Sequence, residues 1–247
     1  MKRTLPALFA IALILSACGK KDAATATPDA SVPGPVATST ADLAAKAQVK
    51  AAAASLPQAD PATPSASYVD ITSGNQLMYS YIALSGVPPD YAAVAQRISR
   101  EYTSTDDAFR KQEVLDAIKP QIDAKVSEAK TRRYLRYQIN GQGALSPYAL
   151  DKGAFPAKFA EAGTYYYMYD NGDYKLGFTN GDGYSLLKVD QEAARKIEAA
   201  RSSYKNFAIV VYAYAQEADM SARQVKAQIV KVAIKLNGEE IPVSAAM

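Results

Sequence analysis

None of the chain's 17 tyrosines precedes Tyr68, and tryptophan is absent throughout. Residues 19 to 66 also lack phenylalanine; alanine, proline, threonine and serine dominate them. Aromatic side chains bring the largest buried area per residue. A stretch with none of them has little to set against chain entropy. The tyrosine boundary therefore predicts a single folded domain over 67–247, which is 181 of the 247 residues and ample for one core. Ahead of it, 18–66 reads as a flexible spacer. Its lysines (Lys20, Lys21, Lys46, Lys50) balance its aspartates (Asp22, Asp29, Asp42, Asp60). Ala41 to Leu56 holds good helix formers, but a lone helix of that length is marginal in water, and Pro57, Pro61 and Pro64 end it. A coil over 19–66 spans about 40 Å root mean square.

Within the folded part, hydrophobic spacing changes period. Leu77, Tyr81 and Leu84 recur at helical spacing and stop at Ser85-Gly86. Pro88-Pro89-Asp90 opens a second segment with Tyr91, Val94, Ala95, Ile98 and Tyr102 on one face. Ser104-Thr105-Asp106-Asp107 precedes a long stripe of Leu115, Ile118, Ile122, Val126 and Ala129. Pro120 is expected to kink or split that helix. From Tyr134 the period becomes two. Tyr165–Tyr169, Lys175–Thr179 and Tyr184–Val189 are short runs separated by Asp170-Asn171-Gly172-Asp173 and Asn180-Gly181-Asp182-Gly183. Asn-Gly between β-formers predicts hairpins, hence a three-stranded meander. Asp190 opens a helix to about Ser202, with Ala193, Ile197, Ala200 and Tyr204 on one face. Phe207–Gln216 and Gln224–Leu236 read as long strands, and Asn237-Gly238 returns the chain into Ile241–Val243. The sum is an α+β domain: helices first, then a mainly antiparallel sheet with one intervening helix.

The N-terminus carries a different message. Lys2 and Arg3 precede an apolar run from Leu5 to Leu15, which closes in Leu15-Ser16-Ala17-Cys18. A positive start, a short apolar stretch and small residues before a break predict a secretory signal over 1–17. The run is too short to span a bilayer, which takes roughly 20 residues. Leu15-Ser16-Ala17-Cys18 resembles the lipobox of bacterial lipoproteins. That resemblance implies cleavage before Cys18, a diacylglycerol on its sulfur, and anchoring to a membrane. Gly19 and Lys20 follow, with no aspartate after the cysteine, which by the same resemblance favours the outer membrane, facing the periplasm. Two or three acyl chains hold a protein on a bilayer far more firmly than one. Loss of Lys2 and Arg3 takes 28 basic residues to 26 against 25 acidic, so no charge argument for nucleic acid survives.

Composition closes off much chemistry. The chain has no histidine and one cysteine. Histidine-based triads and metal sites, internal disulfides and iron–sulfur clusters are therefore excluded. No cofactor or metal is expected. Asp170, Asp173 and Asp182 would offer three carboxylates to calcium, but the loops lack the closing acidic residue of an EF-hand and hairpin chemistry explains them. Ser127-Glu128-Ala129-Lys130 and Ser202-Ser203-Tyr204-Lys205 match the S-x-x-K of penicillin-binding enzymes, without the other motifs of that class. Gly141-Gln142-Gly143 lacks the third glycine of a dinucleotide loop.

Two features suit ligand contact. Lys130, Arg132, Arg133 and Arg136 set four cations among aromatics within eight residues. This suits phosphate, sugar acid or headgroup, or simply a helix C-terminus running into an exposed strand. Tyr165 and Tyr167 share a face of one expected strand and suit carbohydrate or peptide. Thr72-Ser73-Gly74-Asn75-Gln76-Leu77-Met78-Tyr79, continuing to Tyr91, resembles uncharacterised proteobacterial lipoproteins with a domain of unknown function; this implies no activity and no site residues. The expectation is a membrane-anchored, non-enzymatic binding or structural module of the cell envelope with a protein or cell-wall partner. A small-solute or glycan binder, or a hydrolase using carboxylate or Ser-Lys chemistry, are the alternatives.

Overall fold

The computed structural model describes residues 54–245 together with Gln48, Ala51 and Ala52. The expected signal segment, Cys18 and most of the spacer lie outside the described residues. Among the described residues no helix is long and apolar enough to cross a membrane.

The domain is α+β, as the periodicity predicts. Strand β1 (Val69–Asp70) leads into helix α1 (Gly74–Ser85). Ser73 and Gln76 close a capping box at the start of α1, and Gly86 ends it at φ +68°, a conformation that favours glycine. Helix α2 (Tyr91–Ile98) is capped by Asp90, and α3 (Arg100–Ser104) by Ser99. Helix α4 (Ala108–Thr131) starts at Asp107, whose carboxylate accepts from the Phe109 and Arg110 amides. Pro120 neither splits nor ends α4. The proline is exposed, while Val114 and Ile122 on either side of it are buried. Packing of both halves therefore outweighs the one lost backbone bond.

The sheet is mainly antiparallel and nine-stranded among the described residues. Seven strands run in the order β1, β2 (Tyr134–Asn140), β7 (Phe207–Asp219), β8 (Gln224–Leu236), β9 (Glu239–Ala245), β6 (Leu186–Lys188) and β3 (Phe155–Pro156), and β4 (Tyr165–Tyr166) and β5 (Lys175–Phe178) lie off that path. Strands β2, β7, β8 and β9 form its centre. Leu135, Tyr137 and Ile139 of β2, Ile209 and Val211 of β7, and Val225, Ala227 and Ile229 of β8 turn to one face. Leu77 of α1 and Ala193, Ala194, Ile197 and Ala200 of α5 (Gln191–Ser202) cover that face. Met78 and Ile82 look the other way from α1, onto Val94 of α2 and Ile122 of α4. The layers are thus sheet, α1, then α2 and α4. Tyr204, expected on the buried face of α5, lies past its end at φ +53° and is 85% exposed.

The expected meander does not form. Strand β4 (Tyr165–Tyr166) pairs with β5 (Lys175–Phe178), but β5 then pairs in parallel with Gln224–Ala227 of β8. Strand β9 takes the same edge of β8 further along, over Val232–Leu236. Asn180 fills the gap: its side chain donates to the Ile229 carbonyl (2.9 Å) and accepts from the Ile229 amide (2.8 Å). The chain then turns away through Gly181–Tyr184, and β6 (Leu186–Lys188) pairs with β9 and with β3 (Phe155–Pro156). Any Cβ on Gly181 would sit 1.9 Å from the Ala160 carbonyl. The first Asn-Gly segment is no tight hairpin either. Asp170 accepts from the Gly74 amide (2.9 Å) and the Ser73 hydroxyl (2.6 Å) at the start of α1. Asn171 is buried beside Asn75 and Met78.

The folded unit also begins earlier than position 67. Residues 57–65 lie as a strap across the outer sheet face, held to β2, β7 and β8 by hydrogen bonds.

Candidate functional site

The six residues expected to form one ligand patch separate into several places. Lys130 stays exposed in the last turn of α4, and Arg132 at its end pairs with Glu128 at 2.8 Å. Arg133 folds onto β7. Its guanidinium donates to the carbonyls of Ala215 (2.8 Å) and Gln216 (2.7 Å) and lies over the Tyr214 ring. Gln216 is the extra residue of a β-bulge, where β7 passes from Ala215 opposite Ala227 to Glu217 opposite Lys226. Arg133 thus satisfies carbonyls that the bulge releases from the ladder.

Arg136 alternates to the outer face and organises it. It donates to Asp70 (2.6 Å), to Glu240 of β9 and to the Tyr212 hydroxyl. Burial opposes its charge, but these hydrogen bonds outweigh it and raise the guanidinium above its ordinary value. Tyr212 also donates to Glu240 at 2.6 Å. Burial alone would raise the Glu240 carboxyl; the donors Tyr212 and Arg136 hold it below the usual range. Around them Tyr68 meets Tyr134 and Tyr212 edge-on, with ring centroids 5.2 and 4.9 Å apart. Lys231 sits over the rings of Tyr68 and Tyr212. Burial pushes the Tyr68 hydroxyl up to about 12, and that oxygen has no hydrogen-bond partner.

Tyr165 is elsewhere. It lines a cleft of about 570 Å³ between the helix end at Ser55 with Leu56, β5 and the β7–β8 ribbon, to which none of the four basic residues contributes. Tyr167 does not line it and stacks edge-on with Tyr169. Gly177 and Phe178 belong to the cleft wall, and Gln224 lies directly over Gly177. Lys226 stands 3.6 Å from Glu217 and 3.3 Å from Asp219. The Ser221 hydroxyl and Lys226 hold the Asp219 carboxyl down at about 2. Lys175 covers one face of the Tyr165 ring at 4.5 Å, and the residue stays 49% exposed. The cleft therefore presents an aromatic ring, an amide and a lysine already paired with two carboxylates. Its volume falls in the range of small-ligand sites.

Gln224, Lys226, Glu217 and Phe178 were not singled out by sequence. The one available signal was strand alternation, which sets Gln224 and Lys226 on the face opposite Val225 and Ala227. The aspartates considered for calcium diverge: Asp170 caps α1, Asp173 pairs with Arg97 and stands 3.8 Å from Arg223, and Asp182 lines the cleft. Among the described residues no group of three or more Asp, Glu or Cys side chains could hold a metal ion. Ser127 and Lys130 are both exposed on α4. No family model, curated protein or solved structure matches the chain.

Proposed function

We propose that the protein is a lipid-anchored module of the cell envelope. Cys18 attaches it to the outer membrane, and its α+β domain faces the periplasm and binds a wall component without transforming it. The observation that carries the binding part is the Tyr165 cleft. An exposed tyrosine ring beside an amide, with Lys226 already paired to Glu217 and Asp219, suits a polar ligand such as wall glycan. Stacking and hydrogen bonding serve such a ligand better than a point charge does. The lipobox carries the anchoring part.

Two experiments test the two parts separately. Full-length protein in detergent micelles should co-sediment with purified cell-wall sacculi. Tyr165→Ala with Gln224→Ala should cut that binding at least tenfold while the thermal midpoint stays within a few degrees. Equal sedimentation of variant and parent would reject the cleft. In cells, Cys18→Ser should shift the protein from the membrane to the soluble fraction; unchanged membrane fractionation would reject the lipid anchor.

A further inference from the structure

One wall of the Tyr165 cleft does not come from the sheet. Ala52, Ser55 and Leu56, spacer residues just ahead of the strap, line it together with Tyr165, Phe178 and Gln224. From 51 to 67 Leu56 is the one aliphatic side chain larger than alanine, prolines apart, and it is half-buried. With Tyr165 and Phe178 it supplies the large carbon surface of the lining. Local hydrogen bonds shape this arm. The Ser55 hydroxyl donates to the Ala52 carbonyl at 2.7 Å, and the Gln58 side-chain amide to the Leu56 carbonyl at 2.8 Å. They close a helix end that is marginal in water on its own.

The arm is fastened from the cleft and from beyond it. Thr179, a residue of the cleft wall, donates its hydroxyl to Gln216 Oε1 at 2.6 Å, and Gln216 Nε2 donates to the Pro57 carbonyl at 2.9 Å. Gln216 is buried, so little water competes for its amide. Past Pro57 the strap is folded as well as held. The Asp60 carboxylate accepts from the Ala62 amide at 2.9 Å and the Asp60 carbonyl from the Thr63 amide at 3.2 Å, which makes a turn. The Ala59 amide donates to Gln228 Oε1 and the Asp60 amide to Tyr134 Oη, both at 2.9 Å. Neither Gln228 nor Tyr134 lines the cleft.

A ligand that fills the cleft touches the docked arm and the sheet at once. Displacing the arm takes Leu56 out of the wall, and filling the cleft adds contacts that only the docked arm can make. Two events that share contacts in this way are linked, and each shifts the other by the same factor.

We infer that the cleft is a composite site completed by the spacer: Ser55 and Leu56 contact the ligand, and an occupied cleft clamps the arm to the domain. This rests on the reading of the cleft as the wall-binding site. Because the arm leads back to the proposed anchor at Cys18, the same linkage makes a pull on the anchor weaken the hold on the wall.

The test uses the full chain in detergent micelles, with purified sacculi and the soluble fragments a muramidase releases from them as probes. Backbone hydrogen exchange over residues 54–62, read by mass spectrometry, should slow at least threefold when fragments are added to the parent. Leu56→Ser removes part of the wall and should weaken sacculus binding at least fivefold. Tyr134→Phe/Gln228→Ala leaves every cleft residue in place and takes away two acceptors of the strap. It should speed exchange over 54–62 without ligand and weaken sacculus binding at least threefold. Binding that Tyr165→Ala/Gln224→Ala abolishes, with exchange unchanged by fragments and parent-like affinity in both loosened chains, would overturn the composite site and leave the cleft reading standing. Failure of the parent to bind sacculi, or binding indifferent to Tyr165→Ala/Gln224→Ala, would overturn the cleft reading and the composite site with it. Should a loosened chain fail to fold, exchange in the parent with and without fragments decides alone, and no slowing overturns the inference.

Discussion

Replacing Arg136 by methionine should separate what its charge does from what its stem does. The Arg136 side chain is 15% exposed and Glu240 28%, whereas Asp70 is 57% exposed. The Asp70 contact is therefore largely screened and contributes little; the Glu240 contact carries the effect. Removing one member of a buried pair typically costs about 3–5 kcal/mol. Glu240 keeps the Tyr212 hydroxyl at 2.6 Å and some water, so Arg136→Met should cost about 2–3 kcal/mol. For a domain of this size that lowers the melting midpoint by about 4–12 °C. The pH dependence has a definite sign. The folded-state Glu240 carboxyl is held below its ordinary value. The stability it contributes is complete above the unfolded value of about 4.3 and drains away as pH falls through the lower folded value. The difference between parent and Arg136→Met, followed by urea unfolding, should therefore narrow below pH ~4. A double-mutant cycle with Glu240→Gln should give a coupling of about 1–2 kcal/mol. A gap that stays constant from neutral pH to pH ~3, with coupling below ~0.3 kcal/mol, would refute the electrostatic account and leave only packing of the arginine stem.

Two glycine variants should behave oppositely. Gly181→Ala drives a Cβ to 1.9 Å from the Ala160 carbonyl, which is backbone, and should cost about 2–3 kcal/mol in urea unfolding. Gly177→Ala meets first the end of the Gln224 side chain, its amide nitrogen also at 1.9 Å, which can swing aside. Its stability loss should stay under about 1 kcal/mol while sacculus binding falls, because Gln224 is pushed into the cleft. Asp170→Asn should cost about 1 kcal/mol at neutral pH, the usual worth of a carboxylate at a helix start. Backbone and hydroxyl donors from Gly74 and Ser73 hold Asp170 below its ordinary value. Its contribution is thus present above about pH 4 and lost as pH falls through the folded value, so parent and variant curves should converge in acid.

The elements that were legible in the sequence are those decided by neighbours in the chain. Ser73, Gln76 and Gly86 delimit α1 because a capping box and a left-handed glycine act within four residues of themselves. Asn237 and Gly238 turn β8 into β9 with both residues at positive φ, the requirement of a two-residue hairpin. Asn180-Gly181 carries the same dipeptide and does something else, since its carboxamide finds Ile229, 49 positions away. A local pattern cannot choose between two uses of one side chain when a distant strand edge decides. The same reason scattered the basic patch: Arg133 answers a bulge at Gln216 and Arg136 answers Glu240, 104 positions on. Tyr165 was found because its exposure follows from its place on a short strand, while the cleft around it is made by Gln224 and Lys226, whose partners lie on other elements. The strap escaped for a different reason. Its docking uses main-chain amides and carbonyls, which every sequence possesses, so composition marks it as spacer however firmly it is held. A tether of this kind is best located by asking which side chains of the folded sheet, such as Gln216 and Gln228, carry amide groups that a docked main chain could satisfy.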